Sequence, residues 1–221
     1  MKKYFLYILI LGLIGCSSDS NGDDSNTDDI NEVEEVSTFD PNADFQLLFI
    51  GNSLTIENNL PLLVRNRGEQ LGISISCTAQ VGPGYGLEDH WNVGVVQSEI
   101  SSGFYDYVII QQGPSSQAYG RESLIEFGGY MADLCADNDT QLAFFMVWPA
   151  IANYSTFDAV IDNYTDAANI NNAINCNVGQ IWKFHIDGSE DYSYYGSDGF
   201  HPSLAGSELA AQIIVQKLGL Q

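Results

Sequence analysis

Apolar and polar positions fall into blocks along most of the chain. The first clear block is 45–50, FQLLFI, which stops at Gly51-Asn52-Ser53. A nearly continuous apolar run of this length reads as a strand buried on both faces. Residues 60–71 then carry apolar side chains at helical spacing, with Pro61 in the tolerant first turn and Gly72 just past the end. The succession repeats. Residues 73–77 alternate and are β-rich, a glycine-rich loop occupies 80–86, and 87–100 has a helical pattern. YDYVIIQQ at 105–112 predicts a third strand, and 124–136 a helix. LAFFMVW at 142–148 predicts a fourth strand stopped by Pro149, and 156–174 another helix. QIWKF at 180–184 predicts a short fifth strand. After an irregular Tyr- and Gly-rich loop, 203–218 is the last helix.

Strands alternating with helices imply βαβ units, hence a parallel sheet covered on both faces. Right-handed crossovers leave few topologies. The expected fold class is α/β, a three-layer α/β/α arrangement around a mostly parallel, five-stranded, flavodoxin-like sheet. There is no internal repeat.

In such a sheet the carboxyl ends of all strands share one edge, where open α/β folds present chemistry. Ser53, Gly82 or Gly84, and Gln111 or Gln112 each follow a predicted strand. The loop containing Asp198 and His201 follows the predicted fifth strand and reaches the same edge. Ser53, His201 and Asp198 are therefore candidates for a nucleophile, its general base and the carboxylate that orients the imidazole. Donors for a developing oxyanion are available from the Ser53 main chain, a glycine of the 82–86 loop and a glutamine amide. A dinucleotide site at 82–86 is disfavoured, because the run lacks a full GxGxxG and follows the second strand rather than the first. His90 reads as structural or rim-lining, and His185 as a polar residue ending the predicted fifth strand. Tyr192, Tyr194, Tyr195 and Trp148 fall near the active edge, where aromatic rings could stack on sugars.

Composition changes the picture mainly at the beginning of the chain. Lys2 and Lys3 precede an apolar stretch over 4–14, of signal-peptide length and too short to span a bilayer comfortably. This pattern predicts export. Residues 17–38 are rich in Ser, Asp, Asn and Glu and nearly free of large apolar residues, which reads as a disordered tether. Without Lys2 and Lys3, five basic side chains remain against twenty-nine acidic ones, a net charge of −24. That balance argues against nucleic acid and against charge-driven docking on anionic headgroups. An uncharged or cationic partner is compatible with it. Besides Cys16, the odd number Cys77, Cys135 and Cys176 permits at most one disulfide, and no spacing suggests a metal site.

Two resemblances sharpen these expectations. Leu13-Ile14-Gly15-Cys16 resembles the lipobox of bacterial lipoproteins, the alternative being an ordinary secretory signal or uncleaved anchor. The resemblance implies cleavage after residue 15, a lipid on Cys16, a tether over 16–39 and a catalytic domain over 40–221. Membrane association would then come through the lipid alone, at the outer membrane, and the acidic residues after Cys16, which look like surface-export signals, would extend this to the cell surface. Phe49-Ile50-Gly51-Asn52-Ser53-Leu54 and Asp198-Gly199-Phe200-His201-Pro202 resemble the first and last blocks of the SGNH (GDSL-like) hydrolases. These are serine esterases and lipases that need no cofactor. The resemblance implies a triad of Ser53, Asp198 and His201, and an oxyanion hole from Ser53, Gly82 or Gly84, and Gln112 or Gln111. The chain departs from the pattern at Asn52, where Asp is usual, and at Gln111-Gln112-Gly113, where the third block usually carries Asn. The Gln-Gly arrangement is closer to carbohydrate acetylesterases. The expected activity is removal of O-acetyl groups from a carbohydrate. Hydrolysis of lipid acyl esters is the alternative enzyme. A glycan-binding surface lipoprotein that has lost the chemistry is the alternative from another class.

Overall fold

The computed structural model describes residues 40–220. The predicted signal peptide, Cys16 and the acidic tether lie outside the described residues. Five strands, β1 (Phe45–Gly51), β2 (Ile75–Val81), β3 (Tyr107–Ile110), β4 (Gln141–Phe145) and β5 (Ile174–Cys176), form one parallel sheet in the order β2-β1-β3-β4-β5. This is the expected flavodoxin-like order. Helix α1 (Ser53–Ile56) and α2 (Leu60–Gln70) follow β1, and α3 (Leu87–Val93) and α4 (Val95–Ile100) follow β2. Then come α5 (Ala118–Asp137), α6 (Phe157–Ile170), α7 (Val178–Ser189) and α8 (Leu204–Lys217). Strand order runs one way from β1 to β2 and the other from β3 to β4, so right-handed crossovers put α2 and α5 on opposite faces. Helix α2 packs on α8, and α5 packs on α3, α4 and α6.

The strand centres are fully buried. Leu47 to Ile50, Val108 to Ile110 and Ala143 to Phe145 fill the middle layer. Register aligns the carboxyl ends, with Gly51 opposite Val81 and Ile50 opposite Ile110. The residues next along, Asn52, Gly82 and Gln111, therefore sit side by side at one edge.

The fifth strand is not where the sequence pattern placed it. Residues 180–184 lie within α7, and β5 is the three residues Ile174–Cys176. Val178, Trp182 and Ile186 are buried at helical spacing, while Phe184 is 83% exposed. A strand would have put Trp182 and Phe184 on the same face. His185 consequently lies within α7, bonded through Nε2 to Asp191 Oδ2 at 3.1 Å. The helical pattern at 87–100 is divided at Gly94, whose φ of +87° is left-handed. Cys77, Cys135 and Cys176 are buried free thiols, each pushed up to about 12 by burial.

Candidate active site

The turn carrying Ser53 is shaped by close packing. A Cβ on Gly51 would meet Thr55 Oγ1 at 2.3 Å and Gln111 Oε1 at 2.6 Å, so only glycine fits. Asn52 is extended and caps α1, its Oδ1 accepting from the Leu54 N–H at 3.1 Å. Below it, buried His90 donates Nε2–H to the Gly51 carbonyl at 2.7 Å, and burial holds its pKa below the ordinary histidine value. His90 is thus a support beneath the turn.

The structure brings Ser53, His201 and Asp198 into one hydrogen-bonded line. His201 Nε2 lies 2.9 Å from Ser53 Oγ, and Nδ1 lies 2.6 Å from Asp198 Oδ2. A carboxylate can only accept, so Nδ1 carries the proton and the unprotonated Nε2 accepts from the Ser53 hydroxyl. Asp198 Oδ1 also accepts from the Phe200 and His201 main-chain N–H groups, each at 2.9 Å. The His201 hydrogen bond first, and the Phe200 N–H next, hold the Asp198 carboxyl at about 2. The loop is pinned from several sides. Trp148 Nε1–H donates to the Phe200 carbonyl at 3.0 Å, and Gly196 N–H to the His201 carbonyl at 2.7 Å. Asn58 Nδ2–H reaches the Pro202 carbonyl at 3.0 Å, tying the Ser53 segment to the His201 segment.

Beside Ser53 lies a cavity of about 430 Å³, with Gly84, Gln112, Ser115 and Ser123 among its walls and Tyr85, Tyr119 and Phe200 as its aromatic residues. Among the described residues, Glu88 and Asp89 are its charged lining residues and no Lys or Arg lines it. Tyr192, Tyr194, Tyr195 and Trp148 do not line it. Trp148 and Tyr195 are buried behind the His201 loop instead.

The glycine alternatives separate by what their N–H groups do. Gly82 N–H is engaged with the Gly51 carbonyl at 3.1 Å, extending the β1–β2 ladder. Gly82-Pro83-Gly84-Tyr85 is closed by Tyr85 N–H to the Gly82 carbonyl at 3.0 Å. With Pro at the second position and φ +73° at Gly84, this is a type II turn. The Gly84 N–H takes no part in the turn's closing bond, and Gly84 lines the cavity. Neither glutamine is a free donor. Gln111 Nε2 gives one hydrogen to Asn52 Oδ1 at 3.0 Å and one to the Gln112 carbonyl at 2.6 Å. Gln112 Nε2 gives its two to Ser115 Oγ at 2.7 Å and the Gly120 carbonyl at 3.0 Å. Both side chains scaffold the edge rather than pointing a hydrogen into the cavity. Tyr164 of α6, a residue that carries no motif in the sequence, donates its hydroxyl to the Gln112 carbonyl at 2.6 Å.

No family model matches the chain, and no curated relative matches it. Solved structures do. A protein of Slackia heliotrinireducens described as an SGNH hydrolase superposes with a TM-score of 0.68 at 22% identity, covering 79% of this chain and 99% of its own. The fold is that of the SGNH hydrolases. A lipase/acylhydrolase of Enterococcus faecalis gives a TM-score of 0.62 at 16% identity, over 79% of this chain and 95% of its own. A variant of Axe2, an acetyl-xylooligosaccharide esterase of Geobacillus, gives 0.63 at 14% identity, over 81% and 96%. Identities this low establish the SGNH fold. The hydrogen-bonded Ser53–His201–Asp198 line at the carboxyl edge is this chain's own observation.

Proposed function

We propose that the protein is a serine esterase that cleaves small esters through an acyl-enzyme on Ser53. The observation that carries this reading is the 2.9 Å contact of Ser53 Oγ with a His201 whose other nitrogen is held by Asp198. Ser53 Oγ attacks the ester carbonyl carbon and its proton passes to His201 Nε2. The resulting oxyanion faces the Ser53 and Gly84 main-chain N–H groups. Collapse expels the alcohol, which takes the proton back from Nε2. Water then repeats the sequence on the acyl-enzyme, releasing the acid and restoring the Ser53 hydroxyl.

Substrate class is read from the cavity. Its walls are small and polar at Ser115, Ser123, Gly84 and Gln112, which suits a short acyl group better than an alkyl chain. Aromatic Tyr85 and Tyr119 with acidic Glu88 and Asp89 suit an uncharged polyol and disfavour an anionic ester. The reading is removal of O-acetyl groups from a carbohydrate, and the lipobox resemblance at Leu13-Ile14-Gly15-Cys16 extends it to an enzyme anchored through a lipid on Cys16 to the outer membrane. The similarity to an acetyl-xylooligosaccharide esterase supports it. The close Ser53–His201 contact supports chemistry over glycan binding alone.

The test is hydrolysis of a chromogenic acetate ester by the soluble domain, beside Ser53→Ala and His201→Ala. The parent should turn over, and each variant should lose about 10⁴-fold or more in kcat. Preference for long-chain acyl esters would replace the deacetylase with a lipid esterase. No turnover on either, with retained glycan binding, would sink the enzyme reading.

A further inference from the structure

Asn52 stands where the resembled family usually has a carboxylate, and its amide is almost fully committed. It is 6% exposed. Its Oδ1 accepts from Leu54 N–H at 3.1 Å and from Gln111 Nε2 at 3.0 Å. Its own N–H donates to Gln111 Oε1 at 3.0 Å, completing a reciprocal pair with Gln111. Its Nδ2 donates to the Tyr85 carbonyl at 2.9 Å. The orientation of the amide is fixed by these partners. The Leu54 N–H can only donate and the Tyr85 carbonyl can only accept.

Two segments therefore meet on one side chain. One is the turn that begins with Ser53. The other is the type II turn that ends at Tyr85 and contains Gly84, a residue of the cavity wall. A carboxylate at position 52 would still cap Leu54 and accept from Gln111. Toward Tyr85 it would set an anionic oxygen against a carbonyl oxygen, with no proton between them. The glycine turn would have to move away.

Resting on the esterase reading, we infer that Asn52 is a positioning residue that holds the Gly84 N–H in register with Ser53 for oxyanion stabilisation, a task its carboxamide performs and a carboxylate does not. Asn52 touches no reacting atom in this scheme. It acts through Tyr85 and Gly84, so its loss should appear in the transition state and not in ground-state binding.

The experiment compares the parent with Asn52→Asp on the chromogenic acetate ester, and measures phenylboronic acid binding, since the boronate forms a tetrahedral adduct on a serine oxygen. The expected result is a fall in kcat of about 10- to 100-fold, somewhat less than deletion of a whole donor. KM should stay within about twofold and boronate affinity should weaken by a factor similar to the loss in kcat, while the buried charge lowers the unfolding midpoint without unfolding the domain at the assay temperature. Asn52→Ser keeps an oxygen for the Leu54 N–H but is too short to reach Tyr85, and should lose kcat in the same way if the first variant folds poorly. Unchanged kcat, an effect confined to KM, or a fall in kcat with unchanged boronate affinity would each overturn the inference. A parent that neither turns over the ester nor binds the boronate overturns the esterase reading, and this inference with it.

Discussion

Asp198 is the residue whose charge state the structure defines most sharply. Its carboxyl lies at about 2 against an ordinary 3.8, through hydrogen bonds that favour the anion. A depressed carboxylate contributes stability above its unfolded value and loses that contribution as pH falls through 3.8 toward 2. Asp198 thus stays ionised from about pH 3 upward, and replacing it should remove the stability that the wild-type chain loses in denaturation between about pH 4 and pH 2; an unchanged acid dependence would contradict the assignment. Asp198→Asn should lower kcat by about 10⁴-fold, because the amide no longer selects the tautomer with the proton on Nδ1. The meeting of Ser53, Asp198 and His201 was legible in the sequence because each lies in a short local motif, one just after the first strand and the other just before the last helix. The donors were not. Whether Gln111 or Gln112 has a hydrogen to offer depends on partners up to 59 residues away, as with Asn52, and on main-chain groups that carry no sequence signal.

At the scale of elements, the sheet order was readable while one of its strands was misplaced. Residues 45–50, 105–112 and 142–148 are long apolar runs, and each contains a central strand. β5 is three residues, Ile-Asn-Cys, at the edge of the sheet, too short and too polar to stand out. The richer run beside it, QIWKF, drew the strand assignment because aromatic and branched residues favour both a strand and a buried helix face. The two readings differ on a measurable point. Trp182 is fully buried, stacked on Trp148 with ring centroids 3.5 Å apart, while Phe184 is exposed. Trp182→Ala should cost about 3–5 kcal/mol in chemical denaturation, and Phe184→Ser about 0.5 kcal/mol or less. Equal losses would restore the strand. Because Trp148 holds the Phe200 carbonyl next to His201, Trp182→Ala should also lower activity in the fraction that remains folded.

For the whole molecule, the anchoring proposal rests on residues before the described domain and needs its own test. Cys16→Ser should move the protein from the membrane fraction to the soluble fraction and abolish palmitate labelling, with ester turnover per folded molecule unchanged. Retained membrane association would favour an uncleaved apolar anchor. The site itself depends on the fold as a unit, since Ser53 and His201 are separated by 148 residues of chain. This separation has a consequence for biogenesis. A chain still emerging from the ribosome presents Ser53 early, but without the imidazole that would accept its proton. On the esterase reading, Ser53 gains its base only once the residues around His201 have been made and have docked against the first strand's turn, so turnover would follow completion of the domain.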